Sequence, residues 1–344
     1  MSGILSAGLV NVNQLTVTGT QAGAIQVSNL NIGNLDVSGN LNTGQITCTN
    51  DMLLVIPEQY SAPLIVPPGS QSLYQYLFQF PENTTQEIIN NIITIESPVF
   101  NAIGVNGPDL FKPIIGYPTS VFSDTSGVYI RDVSGNIVVN DGSGNAVLWD
   151  SSSGAYPFVT NIVFSLTGEG CPACAYERWP LLIALSRFGT FKGLENMQSG
   201  TSDVAALAAI QTFTTRDLIY TSEYFTYNHI EYGNIFGNLL PQYINMGTYY
   251  QALINTLNPN GRAPFVSFGN VFTLNSAQIE PSLLSGLSRS TISNYFNDTS
   301  VPLTQNIIAS ANYLTACMSI LTGNQPDLLC NSPGVMAAKA ILGI

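Results

Sequence analysis

The stretch that decides the fold reads Phe158-Val-Thr-Asn-Ile-Val-Phe-Ser-Leu166, then Thr167-Gly-Glu-Gly170, then Cys171-Pro-Ala-Cys-Ala-Tyr-Glu-Arg-Trp179. The first part is apolar and β-branched over the length of a strand, which predicts a buried strand. Glycines break it, and a helix is expected over 172–188. Two cysteines three positions apart, directly after a strand and opening a helix, have the context of a redox pair. Two intervening residues keep both sulfurs within disulfide range on the first turn. The helix amino terminus carries partial positive charge and free N–H groups, which favour a thiolate there. Pro172 gives up only an N–H that would have no helical partner. Cys171 is therefore the expected attacking thiol and Cys174 the resolving thiol. A structural disulfide between them is the plainer alternative. Zinc would need two further ligands, and Cys48, Cys317, Cys330 and His229 supply no second close pair. No cofactor is implied.

Working outward, Ala263-Pro264-Phe-Val-Ser-Phe268 and Val271-Phe-Thr-Leu274 flank Gly269-Asn270, a two-residue turn of hairpin chemistry. The order is strand, Cys-x-x-Cys helix, long insertion, proline-led strand, hairpin and helix. It predicts an α/β thioredoxin-like domain with a helical insertion over 155–344. In thioredoxin folds a cis-proline at the place of Pro264 faces the cysteines, and a substrate strand pairs beside it. Further helices are expected near 281–287, 290–296, 301–321 and 335–342.

The chain resembles an uncharacterised thioredoxin-like family of thermoacidophilic archaea and some bacteria. The resemblance lies in Gly170-Cys-Pro-Ala-Cys-Ala-Tyr-Glu-Arg-Trp179, in Leu182-Ile-Ala-Leu-Ser-Arg-Phe-Gly189 and in shorter matches between about 90 and 332. It implies the fold and leaves the activity unassigned. Gly168-Glu-Gly170 departs from the more apolar lead-in of that family, which puts substrate preference in doubt.

Only 9% of the 344 residues are charged, and nine basic against 21 acidic residues give a net charge of −12. A typical soluble chain is about 25% charged. No basic patch exists, which argues against nucleic acid and anionic membranes as partners. Sixteen Tyr and 16 Phe argue against disorder. No apolar run reaches the roughly 18 residues of a membrane span, and residues 1–17 lack the charged start of a secretory signal. Sequons stand at Asn83 and Asn297.

Residues 1–50 form a separate β-rich, repetitive region. Leu15-Thr-Val17, Ile25-Gln-Val27, Leu30-Asn-Ile32 and Leu35-Asp-Val37 alternate apolar and polar, and Gly or Asn follows. Three-residue strands with turns are expected, in a solenoid, an intertwined fibre or an ordinary meander. The segment is similar to the β-repeats of viral fibres. Residues 51–154 are expected to be a β-rich connecting domain with a helix over 83–93 and hairpins between Asp124, Asp132 and Asp141 turns.

These readings lead to a thiol–disulfide oxidoreductase acting on protein thiols or disulfides outside the cytosol. Its candidate residues are Cys171, Cys174, Pro264 and Glu177; a buried carboxylate near the resolving thiol can accept a proton in exchange, and the alternative is that Glu177 and Arg178 are ordinary helix-surface charges. Cys317 and Cys330 are expected to be bonded, which would add about 3 kcal/mol by loop closure. The rival is a structural component of a virion or surface fibril, a homo-oligomer with a trimer favoured.

Overall fold

A computed structural model describes residues 5–17, 25–37, 82–116, 129–150, 152, 161–200, 210–279 and 281–344. The chain divides into two compact units, residues 1–65 and 66–344. In the first, β1 (Leu5–Val17) and β2 (Ile25–Val37) pair in parallel at a constant offset of 20 residues, Leu5 with Ile25 and Val17 with Val37. The strands are thus 13 residues long, and not the three-residue pieces expected. The ladder skips one residue between Ala7 and Leu9 and another between Val12 and Gln14. A straight strand of this length would span about 40 Å, whereas the seven residues at 18–24 reach at most about 30 Å. In-register pairing therefore requires each strand to bend, as the coil of a solenoid does.

In the second unit, α1 (Glu82–Ile93), α2 (Ser97–Ile103) and β3 (Ile114–Gly116) come first. A hairpin of β4 (Val138–Asn140) and β5 (Ala146–Leu148) precedes β6 (Ile162–Thr167) and α3 (Pro172–Ser186). The insertion holds β7 (Gly189–Lys192), β8 (Glu195–Gln198), β9 (Gln211–Thr214), β10 (Ile219–Ser222) and β11 (Thr226–Glu231). It continues through α4 (Pro241–Ile244) and α5 (Thr248–Leu257). Then come β12 (Phe265–Phe268), β13 (Phe272–Leu274), a 3₁₀ turn (Pro281–Leu284) and α6 (Arg289–Asn294). The chain closes with α7 (Pro302–Leu321), α8 (Asp327–Cys330) and α9 (Pro333–Leu342).

The main sheet is mixed, in the order β11-β6-β12-β13-β3. β11 runs parallel to β6, and β12 pairs antiparallel to β6 on its other side. The β12–β13 hairpin turns on Gly269 and Asn270, both at positive φ (57° and 64°), the geometry that a tight hairpin turn demands. One face carries Val163, Val266 and Phe268 into the large core with α3 and α7. The other carries Phe164, Leu166 and Phe265 against Tyr249, Leu253 and Leu257 of α5 and against Ile130 and Val138. From Cys174 to Leu185 every residue of α3 is buried. Its Trp179 packs edge-on against Phe213 and Phe296, and its indole N–H donates to the Gln211 carbonyl at 3.1 Å.

Of the range 51–154, the described residues belong to the second unit. β3 joins the edge of the main sheet, α2 packs on α7 and α9, and α1 packs on α3 and α6, so these residues share one core with the rest. The expected extended pieces at 53–56 and 62–68 and the Asp124 turn lie outside the described residues. Asp132 and Asp141 do close tight loops. Asp132 accepts the N–H groups of Ser134 and Asn136, and Asp141 those of Ser143 and Asn145. Among the described residues no helix is long and apolar enough to cross a membrane.

Candidate active site

β6 ends at Thr167 and the chain turns through Gly168-Glu169-Gly170 into α3. Both glycines are required by close approach. A methyl group on Gly168 would collide with the Tyr232 ring, and one on Gly170 would stand 3.2 Å from the carbonyl oxygens of Asn234 and Ile235. Cys171 caps α3: its sulfur accepts the Cys174 N–H at 3.1 Å, and Pro172 follows at the first helical position. Cys171 and Cys174 are disulfide-bonded, with Cα atoms 5.2 Å apart. Cys171 is half-buried and Cys174 wholly buried. A reagent from solvent therefore reaches Cys171 first.

The Ala263–Pro264 peptide bond is cis, and Pro264 is buried at the start of β12. The Ala263 carbonyl oxygen lies 3.9 Å from the Cys171 sulfur. The structure thus brings together Cys171, Cys174 and Pro264. Glu177 follows Cys174 by three residues on α3 and is buried. Its Oε2 accepts the Gln278 N–H at 3.1 Å, while its Oε1 has no hydrogen-bond partner. Burial pushes its carboxyl well above the usual carboxylate range.

Residues 157–261 match a family model described as a domain of unknown function, DUF929. The DUF929 match spans β6, the Cys-Pro-Ala-Cys helix and the insertion, and stops just short of Ala263. No curated protein and no solved structure matches the chain.

Behind the pair stands a buried charge network that the motif reading left out. The Arg178 Nη2 donates to Glu231 at 2.8 and 3.0 Å and to the Gly168 carbonyl at 3.0 Å. Glu231 also accepts from the Thr215 N–H and hydroxyl and from the Thr167 hydroxyl. Burial raises the Glu231 pKa, but Arg178 and the Thr215 donors outweigh it and hold the carboxyl below its ordinary value. Glu169, two residues before Cys171, pairs with Arg216 and accepts the Thr214 hydroxyl. Burial nevertheless leaves the Glu169 carboxyl raised. The signal was present in the sequence. In a chain with only 30 charged residues, Glu169, Glu177 and Arg178 stand within eight residues of Cys171.

Cys317 and Cys330 are free, buried thiols. Their expected bond is not formed. Cys317 faces the core from α7, while the Cys330 sulfur stands 3.9 Å from the Thr322 hydroxyl. Cys48 lies outside the described residues. His229 is stacked on Tyr227 and its Nδ1 has no hydrogen-bond partner, so it is only partly satisfied. Among the described residues no group of three or more His, Cys, Asp or Glu is placed to hold a metal ion.

Proposed function

We propose that the second unit is a thioredoxin-like thiol–disulfide oxidoreductase acting on protein thiols or disulfides outside the reducing cytosol. The carrying observation is the half-buried Cys171 at the amino terminus of α3, bonded to a buried Cys174, with its sulfur 3.9 Å from the Ala263 carbonyl. The order of β6, α3, insertion, Pro264-led β12, β13 and closing helices supports the thioredoxin-like reading. In the oxidising direction a substrate thiolate attacks the Cys171 sulfur. The Cys171–Cys174 bond breaks, and Cys174 leaves with the electron pair and takes a proton from Glu177. A second substrate thiolate then attacks the substrate sulfur of the mixed disulfide and releases the Cys171 thiolate. The substrate gains a disulfide, the pair holds two electrons, and an external disulfide must reoxidise it. Run backwards, the same steps reduce a disulfide.

Insulin-disulfide reduction and refolding of a scrambled protein, compared with Cys171→Ser, test this reading. Activity lost in the variant is the expected result. A reduction potential well below about −300 mV together with no turnover would mark a structural bond instead.

The first unit favours a second reading, a homo-oligomeric structural component of a virion or surface fibril. Among the described residues two coils stand at a 20-residue offset, and a solenoid needs three or more repeats for stability. Strands from further copies would complete it, with a trimer favoured. Sedimentation of the full chain against a chain lacking residues 1–65 decides the matter. A monomer in both cases removes this reading.

A further inference from the structure

The segment from Gly233 to Leu239 is held against the entrance to the cysteine pair. The Gly233 carbonyl accepts the Glu169 N–H at 2.9 Å, and the Gly170 backbone lies directly against the carbonyls of Asn234 and Ile235. Gly200 closes on the same place, since a methyl group there would stand 2.7 Å from the Ile235 oxygen and 3.1 Å from the Gly170 oxygen. The loop is internally braced. The Asn234 Oδ1 accepts the N–H groups of Phe236 at 2.9 Å and Asn238 at 3.0 Å, and the Gly237 N–H donates to the Asn234 carbonyl at 3.0 Å. Asn234 N–H and Asn238 carbonyl close it at 2.9 Å.

On this braced loop Phe236 is 76% exposed, against 49% for Phe111, the next most exposed large aromatic among the described residues. Leu239 and Ile244 are exposed within the following eight residues. A flexible tip could fold an aromatic ring back onto the core, but this one holds the ring out. That costs hydrophobic free energy which nothing inside the chain returns. The Phe236 backbone lies near the chain that leads into the disulfide. Phe236 follows Ile235, whose carbonyl touches the residue next to Cys171. Pro172 and Ala173, next along the chain from Cys171, and Ala263, whose carbonyl approaches its sulfur, are apolar and half-buried.

We propose that Phe236 is a docking contact for substrate. The substrate is an extended polypeptide whose cysteine is flanked by an apolar or aromatic side chain. The proposal rests on the redox reading of Cys171 and adds the substrate class. Exposed apolar side chains beside a reactive centre mark an interaction surface in a way that scattered ones do not. An unfolded or partly folded chain is the partner that presents cysteines with such neighbours uncovered.

The test uses the oxidised full-length protein and three probes: glutathione, a peptide with Phe on each side of its cysteine, and the same peptide with Ser at those positions. The rate of Cys171–Cys174 reduction is measured for each. The Phe-flanked peptide is expected to react about tenfold faster than the Ser-flanked one, equivalent to about 1.4 kcal/mol. In Phe236→Ser the ratio should fall close to one, and in Phe236→Leu most of it should remain. Equal peptide rates in the wild type, or a preference that persists in Phe236→Ser, overturn the docking role while reaction with glutathione still stands. No reaction with any of the three probes overturns the redox reading and the docking role with it.

Discussion

The Cys171 sulfur stands 3.9 Å from the carbonyl oxygen of Ala263, across 92 residues of chain. That contact joins the amino terminus of α3 to the start of β12. It leaves Cys171 at the surface of the joint and Cys174 beneath it. After reduction, iodoacetamide should alkylate Cys171 at least ten times faster than Cys174, because Cys171 is half-buried and caps the helix whereas Cys174 is wholly buried. Timed quenching and peptide mass mapping read the order. Faster labelling of Cys174 would reverse the assignment of attacking and resolving thiols.

Glu177 carries a pH signature. Its folded-state pKa is raised by burial, so the folded protein keeps a proton that the unfolded chain releases. Stability from this group is complete below the ordinary carboxylate range and is lost as pH rises through it toward the folded value. Glu177→Gln removes the loss. The melting temperature of the variant relative to wild type should therefore climb as pH is raised above about 4.5. Thiol–disulfide exchange should slow on the order of tenfold or more for want of the proton carrier. A pH-independent difference in melting temperature would show that the carboxyl is not held neutral.

Arg178 and Glu231 are almost wholly buried and bonded at 2.8 Å. Removing either partner strands the other charge in the interior at a cost of about 3–5 kcal/mol. Arg178→Met and Glu231→Gln should each show that loss in denaturant unfolding, and the double variant should lose less than the sum. Glu231 acts on pH oppositely to Glu177. Its folded pKa is depressed, so its contribution is present above the ordinary carboxylate range and disappears as pH falls through the folded value. Strict additivity of the two single losses would argue against the pair.

Cys317 and Cys330 should resist alkylation in the native protein and label fully in denaturant without reductant. Burial pushes the Cys317 thiol far above its normal range, and burial also raises that of Cys330 despite the nearby Lys339 and Arg187. Intact mass under the two conditions separates free thiols from a bond. Absence of label on both in denaturant would restore the bond expected from the sequence.

Much of the second unit is legible in its sequence. Strand, Cys-Pro-Ala-Cys helix, Pro264-led strand and Gly269-Asn270 turn carry local signals: β-branched runs, a proline at the first helical position, and residues suited to positive φ. These forces act within a few residues, so they survive without knowledge of the rest. The charge network was not legible as a network, because the bonded partners are far apart along the chain, Arg178 and Glu231 by 53 residues and Glu169 and Arg216 by 47. Their pairing depends on the parallel register that sets Glu231 beside Thr167.

The pentapeptide Asp-Val-Ser-Gly-Asn shows where local signals end. At 132–136 it is a side-chain-capped turn, while at 36–37 its first two residues are the end of a 13-residue strand. Identical letters take different conformations because neighbouring strands supply the hydrogen bonds in one case and the aspartate supplies them in the other. By itself the sequence determined the Cys171–Cys174 pair, its helix and the hairpin that follows, since these rest on backbone geometry and capping over short range. Only the tertiary structure decided that residues 82–116 and 129–150 share the cores of the second unit, that Cys317 and Cys330 stay apart, and that the Asn234 and Ile235 carbonyls lie against Gly170. Those outcomes are set by which buried surfaces meet across distances that no local pattern records.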